Sequence, residues 1–401
     1  MVDARQVRVR DGDVLVMVGT MKGAFLFRSD GRRARWERGG PHFPGHAVYA
    51  LAYDDRSGRR RLWAAPASAH WGSSLRWSED FGRTWSGDAP GPRFPEETGA
   101  TLTRVWQIRP GPVPQPKVLY CGAEPASLFV SNDGGESWSL CRGLYDHPHR
   151  PKWQPGGGGL CLHTILPHPT RTETLHVAIS TAGVYRTDDG GRSWRTAHKG
   201  VRAQFLPDPH PEFGQCVHKV VRDCAQPDRM FLQNHWGLYR TDDGGESWQD
   251  IANGVPSDFG FAMEAHPHDP DTVYIVPLES DEFRCTPEGR LRVYRTRNGG
   301  RSWQPLTKGL PQDGAFETVL RDAMAADTCA KAGLYFGTRS GKLFASRDGG
   351  GAWSAIAEGL PPILCVKTAV VQAGGRSARP ARGTRVKPAA RVTRARGAAR
   401  A

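Results

Sequence analysis

The sequence lacks the features of a disulfide-stabilised, exported or membrane-spanning protein. Its eight cysteines include no Cys-x-x-Cys pair, and most of them lie in runs typical of strands, so we expect buried free thiols in a reducing compartment. The first twenty residues carry charges where a signal peptide needs an apolar core. No apolar run approaches the roughly 18 residues of a membrane span. These absences predict a soluble, cytoplasmic protein.

Acidic residues are missing from the end of the chain. The residues after Ala373 include nine arginines and lysines and no acid, so nine of the thirteen formal positive charges lie there and 13 − 9 = 4 remain for the rest. We expect one folded domain over residues 1–372 and a disordered basic tail over residues 373–401. The composition of the tail favours a solvating extension, with nonspecific binding of nucleic acid or acidic membranes as the alternative.

Residues that form turns and aromatic residues are abundant, with 48 glycines, 31 prolines and 13 tryptophans, which suits many short strands. One octet of the pattern S/T-x-D-x-G-x-S/T-W recurs at intervals of 53, 56, 54, 55 and 50 residues, and a degenerate copy begins at Ser29. The six good copies, of which the fifth has Asn for Asp and the sixth has Ala for Ser or Thr, begin at Ser78, Ser131, Thr187, Thr241, Thr296 and Ser346.

The octet has the chemistry of a turn between two antiparallel strands. Its acidic or amide side chain accepts hydrogen bonds from the turn backbone, its glycine adopts a positive φ, and its tryptophan anchors the next strand. We therefore predict a structural, noncatalytic role for Asp80, Asp133, Asp189, Asp243, Asn298 and Asp348.

The octet is also the Asp-box motif, so the chain resembles the BNR-repeat proteins over about residues 13 to 371. These proteins include sialidases, seven-bladed xyloglucan hydrolases and a photosystem-assembly propeller. The resemblance implies a β-propeller with a glycoside-hydrolase-type or carbohydrate-binding function. The sialidase Arg-Ile-Pro signature is absent from the N-terminal stretch VGTMKGAFLF, and seven blades differ from the six of sialidases, which argues against sialidase activity.

The spacing of the boxes predicts an all-β, seven-bladed propeller with four strands per blade. The N-terminus supplies only three strands of blade one, whereas the C-terminal run ILCVKTAVV is a strand without a blade. We expect residues near 362–371 to pair with residues near 13–19 and close the ring, which would remove two exposed sheet edges.

The long loops all lie on the face opposite the Asp boxes, which makes that face the candidate site. Counting back five residues from the pairs that end the inner strands places four basic or imidazole side chains in one layer of the channel. Such a layer would hold a carboxylate or phosphate. Zinc bound by two of these histidines and a nearby glutamate is the alternative. The four residues are Arg104, His163, His218 and Arg321, with Tyr49 a fifth candidate.

Further candidates lie on the loops of the same face. The segment from Asp146 to Gly159 could cover the channel as a lid, or simply pack across the top of the propeller. Its ligand-binding candidates, together with one histidine from a neighbouring loop, are His149, Arg150, Trp153 and His235. Tryptophans that could stack on sugars are Trp71, Trp153 and Trp236. Carboxylates that could act in glycoside hydrolysis are Glu124, Glu279, Asp281, Glu282, Glu317 and Glu264.

These features predict a monomer whose loop-rich face binds a glycan or another small anionic molecule, without a cofactor or metal. The alternative is a noncatalytic scaffold that docks a protein partner on the same face.

Overall fold

The computed structural model describes residues 6–68, 70, 72–87 and 91–372. These residues form seven antiparallel sheets around a central channel, so the predicted seven-bladed β-propeller is confirmed. Among the residues described, helix is limited to α1 (Arg142–Tyr145) and three 3-10 turns at Glu96–Thr98, Arg150–Lys152 and Pro287–Gly289. In this part of the chain, no helix is long and apolar enough to cross a membrane. The predicted basic tail lies outside the described residues.

Blades one to three take up the first eleven strands and the last. Blade one consists of β1 (Val14–Thr20), β2 (Gly23–Ser29), β3 (Glu37–His42) and the C-terminal strand β28 (Ile363–Val370). Blade two consists of β4 (Ala47–Asp54), β5 (Arg61–Ser68), β6 (Gly72–Ser73) and β7 (Arg76–Ser78). Blade three consists of β8 (Arg104–Pro110), β9 (Leu119–Glu124), β10 (Ser127–Ser131) and β11 (Ser139–Leu140).

Blades four to seven repeat one plan. Blade four consists of β12 (Leu162–Pro167), β13 (Leu175–Ile179), β14 (Gly183–Thr187) and β15 (Arg195–Thr196). Blade five consists of β16 (Val217–Arg222), β17 (Met230–Asn234), β18 (Leu238–Thr241) and β19 (Gln249–Asp250). Blade six consists of β20 (Gly260–Ala265), β21 (Val273–Pro277), β22 (Val293–Thr296) and β23 (Gln304–Leu306). Blade seven consists of β24 (Met324–Ala326), β25 (Leu334–Gly337), β26 (Leu343–Ser346) and β27 (Ser354–Ala357).

The C-terminal strand closes the ring as the sequence predicts. β28 is the inner strand of blade one and pairs antiparallel with β1, from Val14 opposite Val370 to Gly19 opposite Cys365. Backbone hydrogen bonds between Gly12 and Val371 and between Val371 and Asp13 extend the pairing. Every residue of β1 is buried, because apolar residues of β1 face both neighbouring blades.

Blade two departs from the regular plan. Its third strand is interrupted, so β6 and β7 both pair with β5. Among the described residues, the fourth position of this blade is marked by a hydrogen bond of 2.8 Å from Ser86 N to Trp77 O and not by a strand.

The Asp boxes form the turns that join the third and fourth strands. In the box of blade five, Asp243 Oδ1 accepts hydrogen bonds from the Ser247 amide and the Thr241 hydroxyl, and Oδ2 accepts one from the Ser247 hydroxyl. The indole of Trp248 donates to Ala197 O in blade four at 2.9 Å. Each box thus orders its own turn, and the Trp248 contact also ties adjacent blades together.

All eight cysteines are free thiols. Cys121, Cys161 and Cys365 are buried, Cys224 is exposed, and the other four are partly buried.

Candidate functional site

The loop-rich end of the central channel opens into a cavity of about 430 Å³, here called the upper cavity. Its wall comes from the first residues of the inner strands and from loops above them. A second cavity of about 520 Å³, the lower channel, lies between the ends of the same inner strands. The aromatic residues of the upper wall are Tyr49, Trp106 and Phe261.

The upper cavity is rich in arginine. Arg104 pairs with Glu124 at 2.9 Å, whereas Arg284, Arg321 and Arg339 form no ion pair with any carboxylate in the described residues. The guanidinium of Arg321 lies 5.4 Å from the ring centre of Trp106, and Nη1 lies 3.8 Å from Cys161 Sγ. The wall therefore carries an excess of positive charge.

A glycine run brings backbone close to this charge. Gly159 has a φ of +86°, and a Cβ there would lie 2.6 Å from Glu124 Oε1. Gly158 lies beside the guanidinium of Arg321. A side chain at Gly159 would displace Glu124, so this part of the wall requires glycine.

A sulfur and two imidazoles line the same cavity. Cys216, His218 and His235 lie together in its wall. Burial raises the pKa of the Cys216 thiol and lowers that of His218 well below its ordinary value. The hydrogen bond between His235 Nε2 and Asp281 Oδ2, at 3.1 Å, lowers the pKa of Asp281.

A buried charge cluster lies between the two cavities. Asp322 Oδ1 contacts Lys219 Nζ at 2.5 Å and Lys367 Nζ at 3.0 Å. Burial acts to raise the pKa of Asp322, but the two lysine charges outweigh it and hold the pKa far below its ordinary value. Glu264 lines the lower channel beneath, and burial raises the pKa of its carboxyl group.

Comparison with known proteins adds to this picture. A BNR/Asp-box repeat family model matches residues 129–140, the box region of blade three. The chain is a seven-bladed propeller of Asp-box repeats. This propeller is similar to a probable oligoxyloglucan-reducing end-specific xyloglucanase of Neosartorya fischeri, with 23% identity over 58% of this chain and 30% of that protein. The propeller thus spans less than a third of the length of the curated relatives it matches.

Solved structures also share the fold, and two of them illustrate it. An ancestral GH74 enzyme gives a TM-score of 0.51 with 18% identity, over 74% of this chain and 36% of that one. YCF48 bound to D1 peptide gives a TM-score of 0.50 with 15% identity, over 88% of this chain and 87% of that one. At these identities the likeness is one of fold.

The expected channel layer is shifted in register. In five blades, the residue that follows the inner strand donates its amide to the carbonyl just before the second strand, so these residues hold equivalent positions. They are Gly111, His168, Asp223, His266 and Asp327. Counting back five residues from them gives Trp106, His163, His218, Phe261 and Asp322, so the sequence count was wrong by two at Arg104 and by one at Arg321. Both arginines still line the upper cavity. A shift of two residues leaves the Arg104 side chain on the same side of its strand, and Arg321 precedes the regular strand β24, where strand alternation does not apply.

His163 belongs to the equivalent layer but faces a blade interface. It is fully buried, with Nδ1 at 2.9 Å from the Thr164 hydroxyl and Nε2 at 3.0 Å from Val217 O. Of the four residues expected in one layer, Arg104, His218 and Arg321 therefore share the cavity and His163 does not.

The binding candidates of the segment from Asp146 to Gly159 pack on blade four and on α1, which is the second of the two alternatives for this segment. Trp153 is buried and its indole donates to the Tyr185 hydroxyl at 3.0 Å. His149 Nδ1 contacts the same hydroxyl, and Arg150 lies over the ring of Tyr145 at 3.9 Å. These three side chains are absent from the described wall of the upper cavity, and the segment reaches it only through Gly156 to Gly159.

The candidate carboxylates are dispersed. Glu124 lies in the cavity wall, whereas Glu317 is buried against Ser340 and Lys342. Asp281 lies behind His235, and Glu279 and Glu282 are exposed on the same loop. Trp71 lies outside the described residues.

Proposed function

We propose that the upper cavity binds a small anionic molecule, with a sugar that carries a carboxylate or phosphate as the first class to test. The observation that carries the proposal is the group of three arginines, Arg284, Arg321 and Arg339, without ion-pair partners among the described residues. A guanidinium offers paired donors that match the geometry of a carboxylate or phosphate. The aromatic wall beside it supplies apolar faces on which a sugar ring can pack.

Two further observations favour a glycan within this class. The curated relatives that match this chain are named as xyloglucanases. The resemblance of the Asp boxes to BNR-repeat proteins likewise implies a carbohydrate as the ligand. We propose binding ahead of hydrolysis, because the two carboxylates that the described part of the chain contributes to the wall, Glu124 and Asp322, are both held in ion pairs. A hydrolase needs one carboxyl group free to donate a proton.

Isothermal titration with a uronic acid, sialic acid, a sugar phosphate and a neutral xyloglucan oligosaccharide tests the proposal. We expect at least one acidic ligand to bind, and Arg321→Met to weaken it by about 10- to 100-fold, the usual loss for a hydrogen bond to a charged group. Arg301→Met is the matched control, because Arg301 is exposed in the Asp box of blade six, on the opposite face. Equal affinity of the Arg321→Met variant and the wild type would refute the cavity as the binding site. Release of reducing sugar in the same mixtures would show hydrolysis.

A protein partner is the second candidate, and exposed aromatic residues favour it. Three large apolar side chains on the loop-rich face are exposed: Phe205 by 45%, Phe283 by 61% and Phe316 by 71%. Exposed apolar groups beside a charged cavity are typical of a protein-binding surface. An acidic peptide that binds the wild type and is lost in a Phe283→Ser, Phe316→Ser variant would support this function. Unchanged peptide affinity in that variant would exclude it.

A further inference from the structure

The hairpin of β16 and β17 brings three metal-binding side chains together at the upper cavity. Cys216 directly precedes β16 and His235 directly follows β17, and the His235 amide donates to Cys216 O at 2.9 Å. His218 lies at a β-bulge in β16, between Val217 and Lys219. One donor atom from each of the three residues lies within 4.8 Å of the other two.

Hydrogen bonds fix which nitrogen of His218 is available. Nδ1 lies 2.6 Å from Gly260 O. A carbonyl oxygen can only accept, so Nδ1 carries the proton and Nε2 carries the lone pair. Nε2 lies 3.7 Å from Cys216 Sγ. Sulfur and nitrogen ligands of a tetrahedral zinc ion lie about 3.6 Å apart, given bonds of about 2.3 and 2.0–2.1 Å.

A carboxylate fixes which nitrogen of His235 is available. Its Nε2 lies 3.1 Å from Asp281 Oδ2, which as an ionised carboxylate only accepts. Its Nδ1 is buried and has no hydrogen-bond partner in the described structure. Histidines that bind metal usually donate their other nitrogen to a carboxylate or a backbone carbonyl, and His235 and His218 show one case of each.

We propose that Cys216 Sγ, His218 Nε2 and His235 Nδ1 bind a zinc ion, with the fourth position open to the upper cavity. A thiolate with two imidazoles is a donor set that zinc prefers, and three protein ligands with one open position are typical of zinc sites that bind a further ligand. The positive charges of Arg284 and Arg321 repel a zinc ion at this position, whereas the negative charges of the thiolate and of the Asp281 carboxylate attract it.

Blade four provides an internal comparison. Cys161 and His163 repeat the Cys-x-His spacing of Cys216 and His218. Both nitrogens of His163 are engaged, however, and Ser180 donates its amide to Cys161 O in the place that His235 takes in blade five. Within the described ranges of the chain, blade four thus offers no third ligand, and the same spacing forms no such cluster there.

Metal titration of the full chain tests the zinc site. The protein is depleted of metal with a chelator and then titrated with Zn²⁺ in competition with a chromophoric chelator, and with Co²⁺ as a spectroscopic probe. We expect one Zn²⁺ per chain and a thiolate-to-cobalt charge-transfer band. Cys216→Ser should abolish that band, and Asp281→Asn should weaken Zn²⁺ binding by about 10- to 100-fold, as loss of a carboxylate behind a metal-binding histidine does.

Cys161→Ser is the matched control and should retain both the band and the affinity. Thermal melting of each metal-free variant separates loss of a ligand from loss of the fold. The proposal is overturned if the folded wild type binds no Zn²⁺, or if Cys216→Ser binds it as tightly as the wild type. No organic ligand enters this experiment, so its outcome is independent of the proposed anion binding.

Discussion

Replacing Asp322 by alanine removes the carboxylate that lies between Lys219 and Lys367 at the centre of the channel. Asp322 is 3% exposed and Lys219 6% exposed, so their charges are largely withdrawn from water. Removing one partner of a buried pair costs about 3–5 kcal/mol, because a charge is left without compensation. Glu264 lies near both lysines and offers partial compensation, so we expect a loss near the lower end, about 3 kcal/mol.

Lys367→Met provides the comparison. This change leaves the shorter contact, between Lys219 and Asp322, in place. We expect it to cost about 1.5–2 kcal/mol, the lower part of the net value of a hydrogen bond to a charged group. The free energy of unfolding of both variants, measured by denaturant titration with two spectroscopic probes, gives the comparison directly. A loss below about 1 kcal/mol for Asp322→Ala, or equal losses for the two variants, would refute the assignment of a buried cluster around Asp322.

The remaining predictions concern the Asp boxes and the closure of the ring. Asp243→Ala should lower the free energy of unfolding by about 1–2 kcal/mol through three lost hydrogen bonds and leave ligand affinity unchanged, whereas the adjacent Asp242→Ala, which loses exposed ion pairs, should cost less than about 1 kcal/mol. Burial opposes ionisation of Asp133, but hydrogen bonds from Ser137 and Ser131 outweigh it and lower its pKa to about 2. The folded pKa lies below the unfolded value of about 3.9, so the ionised Asp133 should stabilise the fold in full above about pH 3.9 and lose this stabilisation as the pH falls towards 2. The free energy of unfolding of the wild type and of Asp133→Asn, measured as a function of acid pH, would show this difference. Deletion of residues 363–372 together with everything that follows should abolish the cooperative melting transition, whereas deletion from residue 373 onwards should preserve it and weaken salt-sensitive binding of polyanions. A melting transition that survives the longer deletion would contradict the pairing of β28 with β1.

The fold could be predicted from the sequence because each repeat carries its own signal. The octets fix the turns, their spacing fixes the number of blades, and the unmatched strands at the two ends predict the closure. The interrupted third strand of blade two could not be predicted, because its octet, SEDFGRTW, keeps the residues of a regular box.

The cavity was harder to predict, because the residues from which the sequence count starts are not equivalent in space. The Gly111 amide, and not the Arg109 amide, donates at the place where the His168 amide does in the next blade, so a count from Arg109 ends two residues before the equivalent position. For the segment from Asp146 to Gly159, the sequence could not decide between packing and a lid, because only the fold shows that Trp153 has a buried partner in Tyr185. The Cys-x-His spacing at Cys216 and His218 was visible in the sequence, but only the hairpin shows that His235 lies beside them.

The pairing of β28 with β1 has a consequence for synthesis of the chain. Ile363 follows Val14 by 349 residues, so at about 5–20 residues per second the ribosome needs roughly 20–70 seconds to supply the partner of β1. Blades two to seven can form from neighbouring hairpins during that time, while the inner edge of the apolar strand β1 remains without its hydrogen-bonded partner β28. The nascent chain therefore exposes an aggregation-prone strand edge for most of its synthesis, and this interval is when a chaperone would have the most effect on yield.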